Sequence, residues 1–170
     1  MHLALAGQAA QTGPASDLIV VNGATGDTRG MQEMIALMGR NSLPFYQSAR
    51  PGATQGQAGL IARDDVVLIK INCQWNQRGG TNTDLLRSLI QAILAHPDGF
   101  QGEVVVADNG QDQYGAFFEG GSFDWLANNA EDRTQSVQKV VDSFSAEGRV
   151  STFLRDTITG KRVGSTTPRT

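Results

Sequence analysis

Lys70, Asn72 and Asp108 are the residues whose types and positions best suit chemistry in this sequence. Lys70 interrupts the apolar run Val66 to Ile71 (VVLIKI) near its carboxyl end, and Asp108 follows the run Glu103 to Ala107 (EVVVA). A lysine in a buried strand is unusual, and its ammonium needs a partner or a ligand. A carboxylate at a strand end can hold a hard cation, act as a general base or orient a neighbour. Between the two runs lies the polar loop Asn72 to Asp84, NCQWNQRGGTNTD. Gly79 and Gly80 reach backbone angles closed to other residues and lead into a helix N-terminus. Free N–H groups and the helix dipole favour an anion there. Arg78, Thr81, Asn82 and Thr83 add donors, so the loop suits a small carboxylate or phosphate. Asn72, Asn76, Asp84 and Asp108 are oxygen ligands of the kind magnesium or calcium prefers, with Asp108 and Asp84 as the candidate metal pair. Asn109 joins the ligand-binding set beside Asp108. Each reading has a plainer counterpart. The loop can be a glycine turn with an ordinary cap, Asp-Asn-Gly an ordinary strand-to-loop turn, and Lys70 a side chain snorkelling from the sheet.

The elements that must position these residues form a βαβ unit. The near-continuous apolar run 66–71 fits a strand buried on both faces. Leu85, Leu86, Leu89, Ile90, Ile93 and Leu94 carry the strongest helical period of the chain. Thr83 or Asn82 caps that helix, Asp84 suits its first turn, and His96-Pro97-Asp98-Gly99 ends it. The run 103–107 is the next strand. Connected strands of this kind lie side by side and parallel, which gathers Lys70, Asn72, Thr81, Asn82 and Asp108 at one sheet edge. Val67, Ile69, Leu86, Ile90, Val104 and Val106 are the expected core.

Around this unit, Leu18 to Val21 (LIVV) reads as a first strand, so that 66–71 and 103–107 become the second and third. Met31 to Met38 reads as a helix stopped by Gly39 at C′. Residues 40–63 read as a long surface connection. The segment 123–147 reads as a long polar helix with Trp125, Leu126, Val137, Val140, Val141 and Phe144 on its apolar side. Val150 to Leu154 reads as a fourth strand. The fold class is α/β: a βαβ-based layered sandwich with a mainly parallel sheet, Rossmann-like in general layout. Residues 1–17 read as a flexible leader, 18–156 as one α/β domain, and 157–170 as a polar tail and truncation point.

Other candidates carry less. Gly23 to Gly30 (GATGDTRG) has the spacing Gly-x-x-Gly-x-x-x-Gly, and no acidic residue closes a second strand about 20 residues on, as a dinucleotide site requires. Cys73 is the only cysteine. It excludes an internal disulfide and an iron–sulfur cluster within the chain, and it reads as a small packing residue. His96 reads as a helix C-terminal dipole partner.

Composition bounds the rest. The chain has 170 residues, 39% hydrophobic and 18% charged, and a net charge of −3. These values suit one soluble globular domain. No Lys/Arg-rich run marks a nucleic-acid partner, and no apolar run approaches the roughly 18 residues of a membrane span. Compartment, cytoplasmic or exported, is left open.

At the pattern IKIN…GGTNTDLLRSLIQAIL…VVVADNG the chain resembles the domain-of-unknown-function 362 family. That family carries an Ile/Val-Lys-x-Asn strand end, a Thr- or Pro-rich loop, a helix, and a second strand ending near an acidic residue. The matching positions are Lys70, Asn72, Thr81, Asn82, Thr83 and Asp108. The resemblance spans about residues 18–156 and is sharpest over 64–111. It implies the N-terminal part of a longer, uncharacterised family member. Some relatives carry an attached ferredoxin-like iron–sulfur segment, for which this chain has no cysteines.

Three function classes follow. The first is a ligand-binding α/β domain, enzymatic or not, with an anion or divalent-metal site at the carboxyl edge of the second and third strands. In an enzymatic form Asp108 and Lys70 would be its catalytic groups. The second is a non-catalytic binding or assembly module meeting a partner through Gly-rich loops and the aromatics Tyr114, Phe117 and Phe118. The third is a dinucleotide-dependent oxidoreductase using Gly23 to Gly30.

Overall fold

The computed structural model describes residues 18–24, 28–72, 80–108, 130–155 and 162–163. The calls on the leader, on Cys73, Asn76, Arg78, Gly79 and Asn109, on the aromatics at 114, 117 and 118, and on Trp125 and Leu126 lie outside them. So does most of the tail after 156.

The sheet that carries the candidate residues has four strands in the order β3-β4-β5-β6. They are β3 (Val66–Lys70), β4 (Glu103–Asp108), β5 (Val150–Arg155) and β6 (Arg162–Val163). The first three run parallel, with Val67 opposite Val104, Lys70 opposite Ala107, and Val106 opposite Thr152. β6 closes one side antiparallel to β5. Helix α2 (Thr83–Leu94) connects β3 to β4, and the short helix α3 (Val137–Asp142) precedes β5. Right-handed crossovers that step the same way along a sheet leave their helices on the same face. α2 and α3 do pack against each other, and α3 packs on β5. Outside them α1 (Thr28–Arg40) packs on α2. The fold is therefore α/β with a mainly parallel sheet, and its Rossmann-like character is confined to the β3–β4–β5 run.

The core lies between the helices and one sheet face. Val104, Val106, Val140, Ile90 and Ile93 are fully buried, and Leu86, Ile71 and Val137 nearly so. Val67 and Ile69 are half-buried against this cluster. They are less covered than the expected core because β3 is the edge strand among the described residues. Its burial alternates, and Val66 and Leu68 are 68% and 66% exposed on the face away from the helices. The expectation of a strand buried on both faces is thus corrected: an unbroken apolar run does not reveal how many faces of a strand are covered.

Four further expectations give way to tertiary geometry. Leu18 to Val21 forms no strand: it finds no pairing partner among the described residues, and Leu18 is 88% exposed. α1 runs through Gly39 and ends at Arg40, followed by a turn in which Ser42 is left-handed with φ 60°. Gly39 matters for a different reason, since a Cβ there would overlap the carbonyl of Ala53. The connection 40–63 is not featureless. It holds the parallel two-residue strands β1 (Tyr46–Gln47) and β2 (Gln55–Gly56), with a further bridge from Tyr46 to Ile61. The helix expected over 123–147 is, among the described residues, only α3 and a 3-10 turn at Ser145–Glu147. Residues 130–136 ahead of it form turns, and Ser136 caps α3 by accepting from the Lys139 N–H.

Candidate functional site

β3 and β4 end level with each other, which brings Lys70 and Asp108 together. The Lys70 ammonium lies 2.6 Å from Oδ1 of Asp108. The two partners differ in environment: the Asp108 side chain is 3% exposed and that of Lys70 61%. Asp108 sits on the helix-covered face with Val104 and Val106, as the alternation of β4 dictates. Lys70 belongs to the open face of an edge strand, so its ammonium bends over the sheet end to reach the carboxylate. It also donates to the carbonyl of Ile71. An ammonium held on a buried carboxylate while most of its side chain stays in water can still meet a solute.

The next residues close a small clasp. The Asn72 N–H donates to Oγ1 of Thr81 at 2.8 Å, and the Thr81 N–H donates to the Asn72 carbonyl at 2.9 Å. Residues nine apart are thereby pinned across the mouth of the loop. Asn82 is the N-cap of α2: its side-chain oxygen accepts from the Leu85 N–H at 3.0 Å. A cap satisfies one of the free donors of the first turn, so that oxygen is committed to the helix rather than to a ligand. Gly80 and Thr83 are buried beside it.

Asp84 does something the sequence did not suggest. Its carboxylate accepts from the Glu131 N–H at 2.7 Å and from the Gln135 side-chain amide at 2.5 Å. Those partners are 47 and 51 residues away, which is why no local pattern announced them. Ser88 donates to the Asp84 carbonyl, and the residue is 9% exposed. Both carboxylate oxygens thus tie the start of α2 to the turn that leads into α3. Among the described residues no group of three or more His, Cys, Asp or Glu side chains could hold a metal ion.

Of the five residues expected to converge, Lys70 pairs with Asp108 and Asn72 with Thr81 at the carboxyl edge of β3 and β4, with Asn82 capping the adjacent helix.

His96, just past the end of α2, is buried, 4% exposed. Its Nδ1 accepts from the Asp98 N–H at 3.1 Å, and its Nε2 lies 3.1 Å from the Ile61 carbonyl. That pattern requires the Nε2–H tautomer. The Tyr46 ring meets the imidazole edge-on at 5.3 Å, and its hydroxyl donates to the Ala92 carbonyl at 2.9 Å. Burial raises the Tyr46 phenol above its ordinary value. Together they fasten the 46–61 connection to the end of α2. A cleft of about 550 Å³ opens beside this fastening, lined by Met31, Ile35, Tyr46, Ser88, Gln91 and Ala92 among others.

No family model, no curated protein and no solved structure matches this chain. No helix among the described residues is long and apolar enough to cross a membrane.

Proposed function

We propose that this chain is a ligand-binding α/β domain whose site is the carboxyl edge of β3 and β4, and that its ligand is a small anion such as a carboxylate or phosphate. The single observation that carries the reading is the Lys70–Asp108 pair: the ammonium of a largely exposed lysine side chain anchored at 2.6 Å on a buried carboxylate. The anchor orients the cation at the end of the sheet, where open α/β folds bind ligands. Asn72 and Thr81 lie beside it in the clasp, and α2 begins within a few residues. Lys70 would meet the anion, and Asp108 would position Lys70. We also read the chain as a member of the domain-of-unknown-function 362 family, on its motif residues Lys70, Asn72, Thr81, Asn82, Thr83 and Asp108. The divalent-metal form of the hypothesis is the weaker one, because Asp84 spends its carboxylate on Glu131 and Gln135.

The test is a thermal-shift and calorimetric screen with inorganic phosphate, acetate, citrate and magnesium. A ligand at about 100 times its Kd should add roughly 2.7 kcal/mol of stability. Phosphate or a carboxylate should stabilise the native chain and leave Lys70→Met unaffected. Equal stabilisation of both proteins, or of neither, rejects the site.

A further inference from the structure

The cleft of about 550 Å³ beside the Tyr46–His96 fastening takes no part in the anion site proposed above. It opens between α1, α2 and the stretch that carries Tyr46 and Thr54. Its volume falls in the range of small-molecule sites, which set a few placed polar groups into a mainly apolar lining. Met31 and Ile35 come from α1, Ala92 and Ala95 from α2 and its cap, and the Tyr46 ring from the connection. Two hydroxyls are set into this lining, and both have fixed orientations. Ser88 is 4% exposed and donates its proton to the Asp84 carbonyl at 2.8 Å. Tyr46 is half-buried and donates its proton to the Ala92 carbonyl at 2.9 Å. A hydroxyl carries one proton and two lone pairs. With both protons given to the backbone of α2, the two oxygens offer the cleft acceptor capacity alone. None of the described residues that line the cleft is charged.

We propose that this cleft binds a small uncharged aromatic molecule that carries an N–H or O–H group, of the indole or phenol class. Its ring lies against Tyr46 and the thioether of Met31, partners that suit an aromatic face or edge. Its N–H or O–H donates to Oγ of Ser88, the more buried of the two acceptors. Gln32 and Gln91 are exposed at the rim and keep their water, so they select little. A charged ligand would give up water in a cleft that supplies no counter-charge. The cleft lies on the α1 side of α2, so this site and the Lys70 edge stand or fall separately.

NMR titration of the isotope-labelled full chain with indole, phenol, 1-methylindole and benzoate tests it. Indole and phenol should move the signals of Met31, Ile35, Ala92 and Ala95, with a Kd of about 1 mM or tighter, within reach of ligands this small. 1-Methylindole keeps the ring but lacks the donor, and should bind roughly tenfold more weakly, the worth of about one hydrogen bond. Benzoate should leave these signals unmoved. Ser88→Ala puts the best helix former inside α2, so the fold should persist by circular dichroism. That variant should bind indole about tenfold more weakly and 1-methylindole as the native chain does. No perturbation of the cleft signals by indole or phenol overturns the proposal. So does 1-methylindole or benzoate binding there as tightly as indole, or a Ser88→Ala chain that binds indole with native affinity.

Discussion

Lys70 and Asp108 differ in what each loses if the other is removed. The lysine side chain is 61% exposed and regains water readily, whereas the carboxylate is 3% exposed and does not. Asp108→Asn should therefore cost little stability, while Lys70→Met leaves a buried carboxylate without its cation. Urea unfolding should show Lys70→Met destabilised by about 1–3 kcal/mol, the range for a buried polar group that loses its partner. This is below what a fully buried pair costs, because solvent already screens the ammonium. Equal effects of the two substitutions would show that the carboxylate is not the costly partner. Tyr46 supplies the pH dependence. Burial raises its folded-state phenol above the ordinary 10.0, so the neutral form is favoured by folding. Its contribution is fully present below pH 10 and is lost as pH rises through the folded value. A phenolate also cannot donate to the Ala92 carbonyl. Native protein should lose stability above pH 10, and Tyr46→Phe should flatten that limb when melting temperature is followed against pH.

At the scale of elements, α2 is held at both ends by contacts that bridge distant sequence. Asp84 fastens its start to residues 131–135, and Tyr46 and His96 fasten its end to the 46–61 connection. Asp84→Ala removes the acceptor of two hydrogen bonds at once. Chemical denaturation should show a loss of about 1–3 kcal/mol, with the backbone amide of Glu131 exchanging faster. An unchanged Glu131 amide would mean that another group holds that turn. The β3–α2–β4 unit was legible because every signal in it is local: two apolar runs, a 3.6-residue period and an Asn cap. The rest depends on pairing across the chain. LIVV has strand composition yet finds no partner among the described residues, while Tyr46–Gln47 has little strand composition and is a strand because Gln55–Gly56 lies alongside. Asp84 looked like a free oxygen ligand for the same reason, its partners being 47 and 51 residues off. The adjacency of Lys70 and Asp108 was legible because strand register alone produces it.

Across the whole molecule, protection should be graded outward from β4. That strand is paired on both sides, its Val104 and Val106 are fully buried, and it contacts both β3 and β5. Among the described residues β3 is paired on one side only, and its residues alternate. The N–H groups of Val67 and Ile69 point into the ladder, and those of Val66, Leu68 and Lys70 point off the edge. Amide exchange by NMR should reproduce this alternation in dilute protein, with slow exchange at Val67 and Ile69, fast exchange at Val66, Leu68 and Lys70, and the slowest set in β4. Leu18 to Val21, unpaired in the described structure, should exchange fast throughout. Uniform protection along β3 would instead place another strand of the same chain on that edge and overturn the expected alternation.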